Sequence, residues 1–278
     1  MATVDSSGNI TAKKLGKATI TVKTVDGNYT ASYNITVKQK TIIVVTASAG
    51  KRMYDWFKTY TSKNSFYYNF NDASLKYIYK SGSGFEYQYG EGLELAKDYI
   101  NEHFSNTKNY VELSLFFTLT GNSVNNLTCD KIQTSNEYLD IATNYNNAIQ
   151  QVKDLGYKNT KGYVISHSPL NTKQAIKEYP ERADYFNIVY SHDSNACSRW
   201  YRSAWKYWLS NRRMESVLKN GNYSNLTFID NFSNFVVIKD ESARTFTWLR
   251  NYTTTDALHW DEPTTKEYMQ LAFDTAGM

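Results

Sequence analysis

The chain has 278 residues, 41% of them hydrophobic and 15% aromatic, with 31 basic and 27 acidic side chains giving a net charge of +4. That length and apolar content suffice for one sizeable core and a small second unit. The charge is too balanced to mark a nucleic-acid-binding face, and no apolar run reaches the roughly 18 residues that a transmembrane helix needs.

Met1 is followed by Ala-Thr-Val-Asp-Ser-Ser-Gly, which has neither a basic n-region nor an apolar h-region, so no signal peptide is expected there. The 24 tyrosines and the abundance of Asn, Ser and Thr suit an extracellular or carbohydrate-facing surface. Cys129 and Cys197 lie far apart without metal-site spacing; a disulfide and two buried thiols both remain open. No two of His103, His167, His192 and His259 have the spacing of a helical metal site. No metal and no cofactor is expected.

Residues 9–12, 18–23 and 31–37 alternate apolar and polar side chains, with turns at Ser7-Gly8-Asn9 and Asp26-Gly27-Asn28, and predict an exposed all-β segment. A polar link, Lys38-Gln39-Lys40, leads into Thr41-Ile42-Ile43-Val44-Val45-Thr46, whose consecutive β-branched residues predict a strand covered on both faces. The small-residue turn Ala47-Ser48-Ala49-Gly50 follows, then a predicted helix over 51–62 with Met53, Trp56 and Phe57 at helical spacing. Beyond the aromatic stretch 65–70, strand, turn and helix recur: strand 76–80 with a helix from Phe85 to about His103, strand 111–119 with a polar turn over 120–126 and a helix over 136–155. A strand at 162–166, a basic, tryptophan-rich helix over 198–219, a strand at 226–230 and a last helix through Tyr268, Leu271 and Phe273 complete the series. The alternation predicts an α/β fold, a mainly parallel sheet with helices on both faces. The expected division is an all-β unit over 1–39 and an α/β unit over 40–278.

Polar turns at the strand ends carry the candidate chemistry. Ser48 follows the first core strand, near a helix start where backbone N–H groups can hold an anion; as a bare serine it is also an ordinary helix cap. Asp256-Ala257-Leu258-His259 places a carboxylate where it can fix an imidazole tautomer and leave Nε2 to accept a proton. Gly84 and Asn125 could supply oxyanion donors, with Gly82 and Asn122 as the alternatives.

Two resemblances follow from these residues. Residues 2–12, Gly16-Lys17-Ala18-Thr19-Ile20-Thr21-Val22 and Tyr33-Asn34-Ile35-Thr36-Val37 resemble the second half of a bacterial Ig-like group 2 (BIG2) repeat, a spacer or adhesive module of bacterial surface and phage structural proteins. From about Thr41 to Met278 the chain resembles the SGNH (GDSL-like) hydrolase family. Ile42-Ile43-Val44-Val45-Thr46-Ala47-Ser48 matches the nucleophile block, Lys80-Ser81-Gly82-Ser83-Gly84-Phe85 the glycine block, Ser123-Val124-Asn125-Asn126-Leu127 the asparagine block, and Asp256-Ala257-Leu258-His259 the last. Tyr163-Val164-Ile165-Ser166-His167-Ser168-Pro169-Leu170 looks like the strand and loop that follow in bacterial members. The family's usual Gly-Asp-Ser reads Thr46-Ala47-Ser48 here. Thr46-Ala47-Ser48-Ala49-Gly50 also half-copies the Gly-x-Ser-x-Gly elbow of α/β-hydrolases, but that elbow follows several sheet strands rather than the first.

The SGNH resemblance implies a three-layer, flavodoxin-like parallel sheet. It implies Ser48 as nucleophile, His259 as base, Asp256 as its orienting partner, and Gly84, Asn125 and the Ser48 N–H as the oxyanion hole. The expected function is a serine esterase deacetylating a carbohydrate or cell-surface glycan, acting outside a bacterial cell or on a phage virion and attached through the Ig-like region. An acylated glycan or other small ester is the expected partner, with neither nucleic acid nor a membrane span. The alternatives are a catalytically inactive binding or structural module of the same fold, such as a surface adhesin or phage tail component, and a glycan O-acetyltransferase.

Overall fold

The computed structural model describes residues 1–46, 75–80, 83–119, 124, 127–167, 176–177, 180–182, 197, 203–249 and 262–278. The helix expected over 51–62 and the aromatic stretch 65–70 lie outside the described residues. The N-terminal unit is all-β, as expected. Strand β1 (Ala2–Val4) pairs antiparallel with β2 (Ile10–Ala12), and β3 (Gly16–Lys23) with β4 (Thr30–Val37), as two separate two-stranded sheets. Gly8 at φ 83° and Asn28 at φ 55° sit in the two expected turns, in the left-handed region that Gly and Asn tolerate best. Alternation along β3 and β4 gives one apolar face, with Ala18 opposite Ile35 and Ile20 opposite Tyr33. The other face is polar and is laced by hydrogen bonds from Thr19 to Asn34 and between Thr21 and Ser32.

After the single residue Lys38 the chain enters β5 (Gln39–Thr46). Then come β6 (Leu75–Tyr79), α1 (Phe85–Tyr89), α2 (Glu91–Phe104), β7 (Val111–Thr118), α3 (Cys129–Thr134), α4 (Glu137–Asp154) and β8 (Thr160–Ile165). The series ends with α5 (Ala204–Asn220), β9 (Leu226–Ile229), a hairpin of β10 (Val236–Asp240) and β11 (Thr245–Trp248), and α6 (Glu262–Thr275). The five strands β6-β5-β7-β8-β9, in that order, form one sheet with every neighbouring pair parallel. Counted by core strand this is order 2-1-3-4-5, the flavodoxin-like doubly wound arrangement.

Both faces of the sheet are covered, which is why its strands are apolar on consecutive positions. Side chains alternate across a strand, and the neighbours Phe116 and Phe117 show the two layers directly. Phe117 stacks on Tyr145 of α4 with ring centroids 4.3 Å apart, whereas Phe116 meets Phe273 of α6 edge-on at 5.0 Å. Ile42, Ile43, Val44 and Val45 are all buried between these layers, each contributing about 1.5–3 kcal/mol by leaving water. The α2 helix lies on the α4 side, since Gly92 faces Val45, the register partner of Phe117. A Cβ at Gly92 would stand 2.6 Å from Val45 Cγ1 and 2.9 Å from the Tyr87 carbonyl oxygen. Gly92→Ala should therefore destabilise by about 1–3 kcal/mol through overpacking, even though Ala is normally the better helix former by about 1 kcal/mol. The midpoint of urea unfolding reads the sign.

The single helix expected from Phe85 to about His103 is in fact two, divided at Gly90, whose N–H still donates to the Glu86 carbonyl at 2.9 Å. A Cβ there would stand 2.7 Å from that same oxygen. Cys129, the first residue of α3, is joined to Cys197 in a disulfide with Cα atoms 5.2 Å apart, which resolves the alternative that composition left open.

Candidate active site

In an open α/β sheet of this order, ligands sit outside the carboxyl ends of the strands at the point where strand order reverses. Here that point lies at the ends of β5 and β7, because the chain moves from β5 out to β6 and back past β5 to β7. Ser48 is two residues beyond the end of β5 in sequence. Ser48, Asp256, His259, Asn125, Asn122 and Gly82 all lie outside the described residues. The structure defines the frame on which they are mounted, together with Gly84.

Thr46 and Thr118, the last residues of β5 and β7, share a side-chain hydrogen bond of 2.6 Å between their hydroxyls. The Thr46 hydroxyl thereby ties these two neighbouring strands together at the edge. Behind this pair, Gln88 of α1 donates from Nε2 to the Thr118 carbonyl at 2.8 Å and accepts the Thr118 N–H at Oε1 at 2.9 Å. The β5–β7 register ends at Val45 opposite Phe117. The Gln88 amide then takes both backbone groups of the next β7 residue, which satisfies them without a further strand residue. Gln88 is completely buried, so this pair of bonds forms in a water-poor site.

Gly84 is the N-cap of α1, with φ −108° and ψ −157°, a backbone that most residues can adopt. Among the described residues, a Cβ at Gly84 would meet only the flexible end of Glu86, 2.7 Å away at Oε2. Neither sterics nor backbone angle demands glycine here, and a carboxylate so near would oppose an oxyanion rather than assist it. The asparagine block is anchored on both sides: Val124 is completely buried, Leu127 packs against the core, and the Leu127 N–H donates to the Val124 carbonyl at 3.2 Å.

The last helix is fixed to the same edge by a buried network that sequence reasoning did not find. Ser166 Oγ, just past β8, accepts the N–H groups of Asn231 and Phe232 at 3.0 Å each. The Tyr268 hydroxyl of α6 donates to the Ser166 carbonyl, and Asn231 Nδ2 donates to the Tyr268 carbonyl at 2.5 Å. Burial holds the Tyr268 phenol well above the ordinary tyrosine range, so it remains a donor. Apolar spacing marked Tyr268 as a core residue; nothing in the sequence marked its hydroxyl as a lock between α6 and β8.

One serine–histidine contact does occur among the described residues. His167 Nε2 lies 2.9 Å from Ser210 Oγ, which accepts the Tyr138 hydroxyl at 2.7 Å, while the His167 ring stacks on Tyr207 at 4.6 Å. All three hydrogen-bonding residues are buried, with 2% or less of their surface exposed, so no substrate reaches this serine and the group is a polar brace between α4, α5 and the end of β8. Ser210→Ala removes the partner of the buried Tyr138 hydroxyl and should cost about 1–3 kcal/mol. Adding Tyr138→Phe should return part of that loss, which equilibrium denaturation of the single and double variants measures.

No family model matches the chain, and no curated protein is similar to it. Several solved structures overlap with it, including the following two. One is the crystal structure of TesA, at 11% identity and a TM-score of 0.39, over 85% of this chain and 97% of that one. The other is phospholipase A1 from Streptomyces albidoflavus NA297, at 12% identity and a TM-score of 0.38, over 84% and 98%. The fold class rests on the strand order and the two covered faces, not on these overlaps. Among the described residues, no group of three or more His, Cys, Asp and Glu could hold a metal ion, and no helix is long and apolar enough to cross a membrane.

Proposed function

We propose that the chain is a serine esterase of SGNH type that removes acetyl groups from a carbohydrate or cell-surface glycan. The observation that supports this reading is the agreement between the order of the sequence blocks and the order of the strands. The serine block follows the inner strand β5, the glycine block follows β6, the asparagine block follows β7, and Asp256-x-x-His259 precedes the helix that closes the far face. In this reading Ser48 Oγ attacks the acetyl carbonyl while His259 Nε2 takes its proton, with Asp256 holding the imidazole tautomer. The tetrahedral oxyanion is received by the Ser48 N–H, Asn125 and a glycine N–H of the 82–84 turn. Collapse breaks the ester bond as His259 returns the proton to the departing sugar oxygen, which leaves as a hydroxyl, and water then releases acetate from the acyl-serine by the same route.

The disulfide favours an oxidising compartment, in keeping with action outside a bacterial cell or on a phage virion. The N-terminal β unit serves in this reading as the attachment side. A second reading, a non-catalytic binding module of the same fold, draws on Glu86, whose carboxylate lies beside Gly84. Labelling with a fluorophosphonate probe separates the two. Wild type should be labelled and Ser48→Ala should not; an unlabelled wild type favours the binding module, and equal labelling of both forms moves the nucleophile to another serine.

A further inference from the structure

At the opposite edge of the sheet, where β5, β7 and β8 begin, the structure holds a cavity of about 590 Å³. Its lining carries four lysines, Lys40, Lys153, Lys158 and Lys161, against one acidic side chain, Glu112. Glu112 is already paired with Lys38 at 2.7 Å. The remaining wall mixes hydroxyls and amides, including Ser114, Tyr163 and Asn225, with the apolar Leu113, Ala276 and Met278. We propose that this cavity is a binding site for a multiply charged oxyanion, the phosphate or sulfate group of a small molecule or glycan.

The lysines come from separate elements and converge through the fold. Lys40 is the second residue of β5, Lys161 the second of β8, Lys153 the last but one of α4, and Lys158 is on the connection between α4 and β8. Two of them are held in place: Lys40 Nζ donates to the Gly277 carbonyl at 2.9 Å and Lys153 Nζ to Asn225 Oδ1 at 2.5 Å. Burial lowers the pKa of Lys40, the charge of Lys161 lowers it further, and Glu112 works against both. Lys40 and Lys153 are half-buried and Lys158 and Lys161 exposed; like charges gathered at one cavity repel each other and are relieved by an anion between them. A concave surface of one sign also focuses its potential into the cleft. Ammonium groups bind phosphate or sulfate oxygens through charge-assisted hydrogen bonds, while the Tyr163 and Ser114 hydroxyls, hydrogen-bonded to one another, offer neutral contacts to the rest of the ligand.

The test is isothermal titration of the full chain with inorganic pyrophosphate and, separately, with sodium sulfate, at constant ionic strength. Lys158 and Lys161 are exposed, so Lys158→Glu/Lys161→Glu should fold, as circular dichroism can check; Lys158→Gln is the milder substitute. Saturable binding by wild type is expected, weakened by about tenfold or more in the double variant and unchanged in Lys219→Glu, which alters an exposed lysine in the last turn of α5. Affinity should fall as salt rises from about 20 to about 200 mM, as screening requires. Pyrophosphate, the more highly charged anion, should bind more tightly than sulfate where charge alone selects the ligand; tighter binding of sulfate instead points to a sulfate ester as the natural ligand. Heats that do not saturate, equal binding by the double variant, or equal loss in Lys219→Glu overturn the site.

Discussion

Ser48→Ala should lower the turnover of p-nitrophenyl acetate and of acetylated glycan by on the order of 10³-fold or more, because a nucleophile and its base act as one unit. The expected loss is in kcat, with KM little changed, since the hydroxyl bonds to substrate only as the acyl-enzyme forms. Gln88→Ala provides the contrast. It removes both bonds to the Thr118 backbone and leaves two buried polar groups to find other partners, so it should disturb the geometry of the β5 and β7 ends. Its loss should be smaller, roughly 10–10²-fold, and Gln88→Glu should not restore it, since a carboxylate cannot donate to the Thr118 carbonyl. Equal activity of Ser48→Ala and wild type ends the esterase reading at this serine.

Removing the disulfide should have the largest effect on stability. It joins residues 68 apart in sequence, and closing a loop of that size restricts the unfolded chain by about 4 kcal/mol in the chain-entropy treatment. For a chain of this size, that corresponds to a fall in Tm of roughly 8–16 °C. Cys129→Ser/Cys197→Ser, or reduction of wild type, followed by calorimetry, measures it. The pair has local neighbours too: Arg244 Nη1 lies 2.9 Å from Cys197 Sγ, and its guanidinium sits over the Trp205 ring at 5.9 Å. A Tm change of only a degree or two would mean that the unfolded chain is already compact around this loop.

The elements legible in the sequence are those whose periodicity is set by burial. The helix expected over 136–155 is α4, Glu137–Asp154, and Tyr138, Ile141, Ala142, Tyr145, Ala148, Ile149 and Val152, which recur at helical spacing, are its buried residues. The strand β5 was legible from Thr41 onward, but its first two residues were not. Gln39 and Lys40 are polar, yet they pair with Val111 and Glu112, because the ladder needs only backbone and Lys40 uses its side chain at the sheet edge. The β10–β11 hairpin was missed although Thr245-Phe246-Thr247-Trp248 alternates and Asp240 accepts the N–H groups of Ser242 and Ala243 in the turn. Its signals were there but short. At the candidate site, composition identified turns, whereas the Gln88 and Tyr268 locks depend on where polar tips of otherwise apolar helix faces arrive, which spacing along one helix does not reveal. Gln88 lies three residues after Phe85 on a buried face, and that position was its one sequence clue.

The short passage from β4 to β5 has a mechanical consequence. Only Lys38 separates a hairpin strand from β5, an inner strand of the sheet, and its side chain is itself tied to Glu112 on β7. If the N-terminal unit is an anchor, tension on it is delivered along β5 itself, not dissipated in a slack tether. The strand receiving that load is bonded along its length to β6 and β7, so pulling it out must shear two parallel ladders together. In that reading tension runs along β5 to its far end, where the hydroxyl bond between Thr46 and Thr118 clamps it to β7.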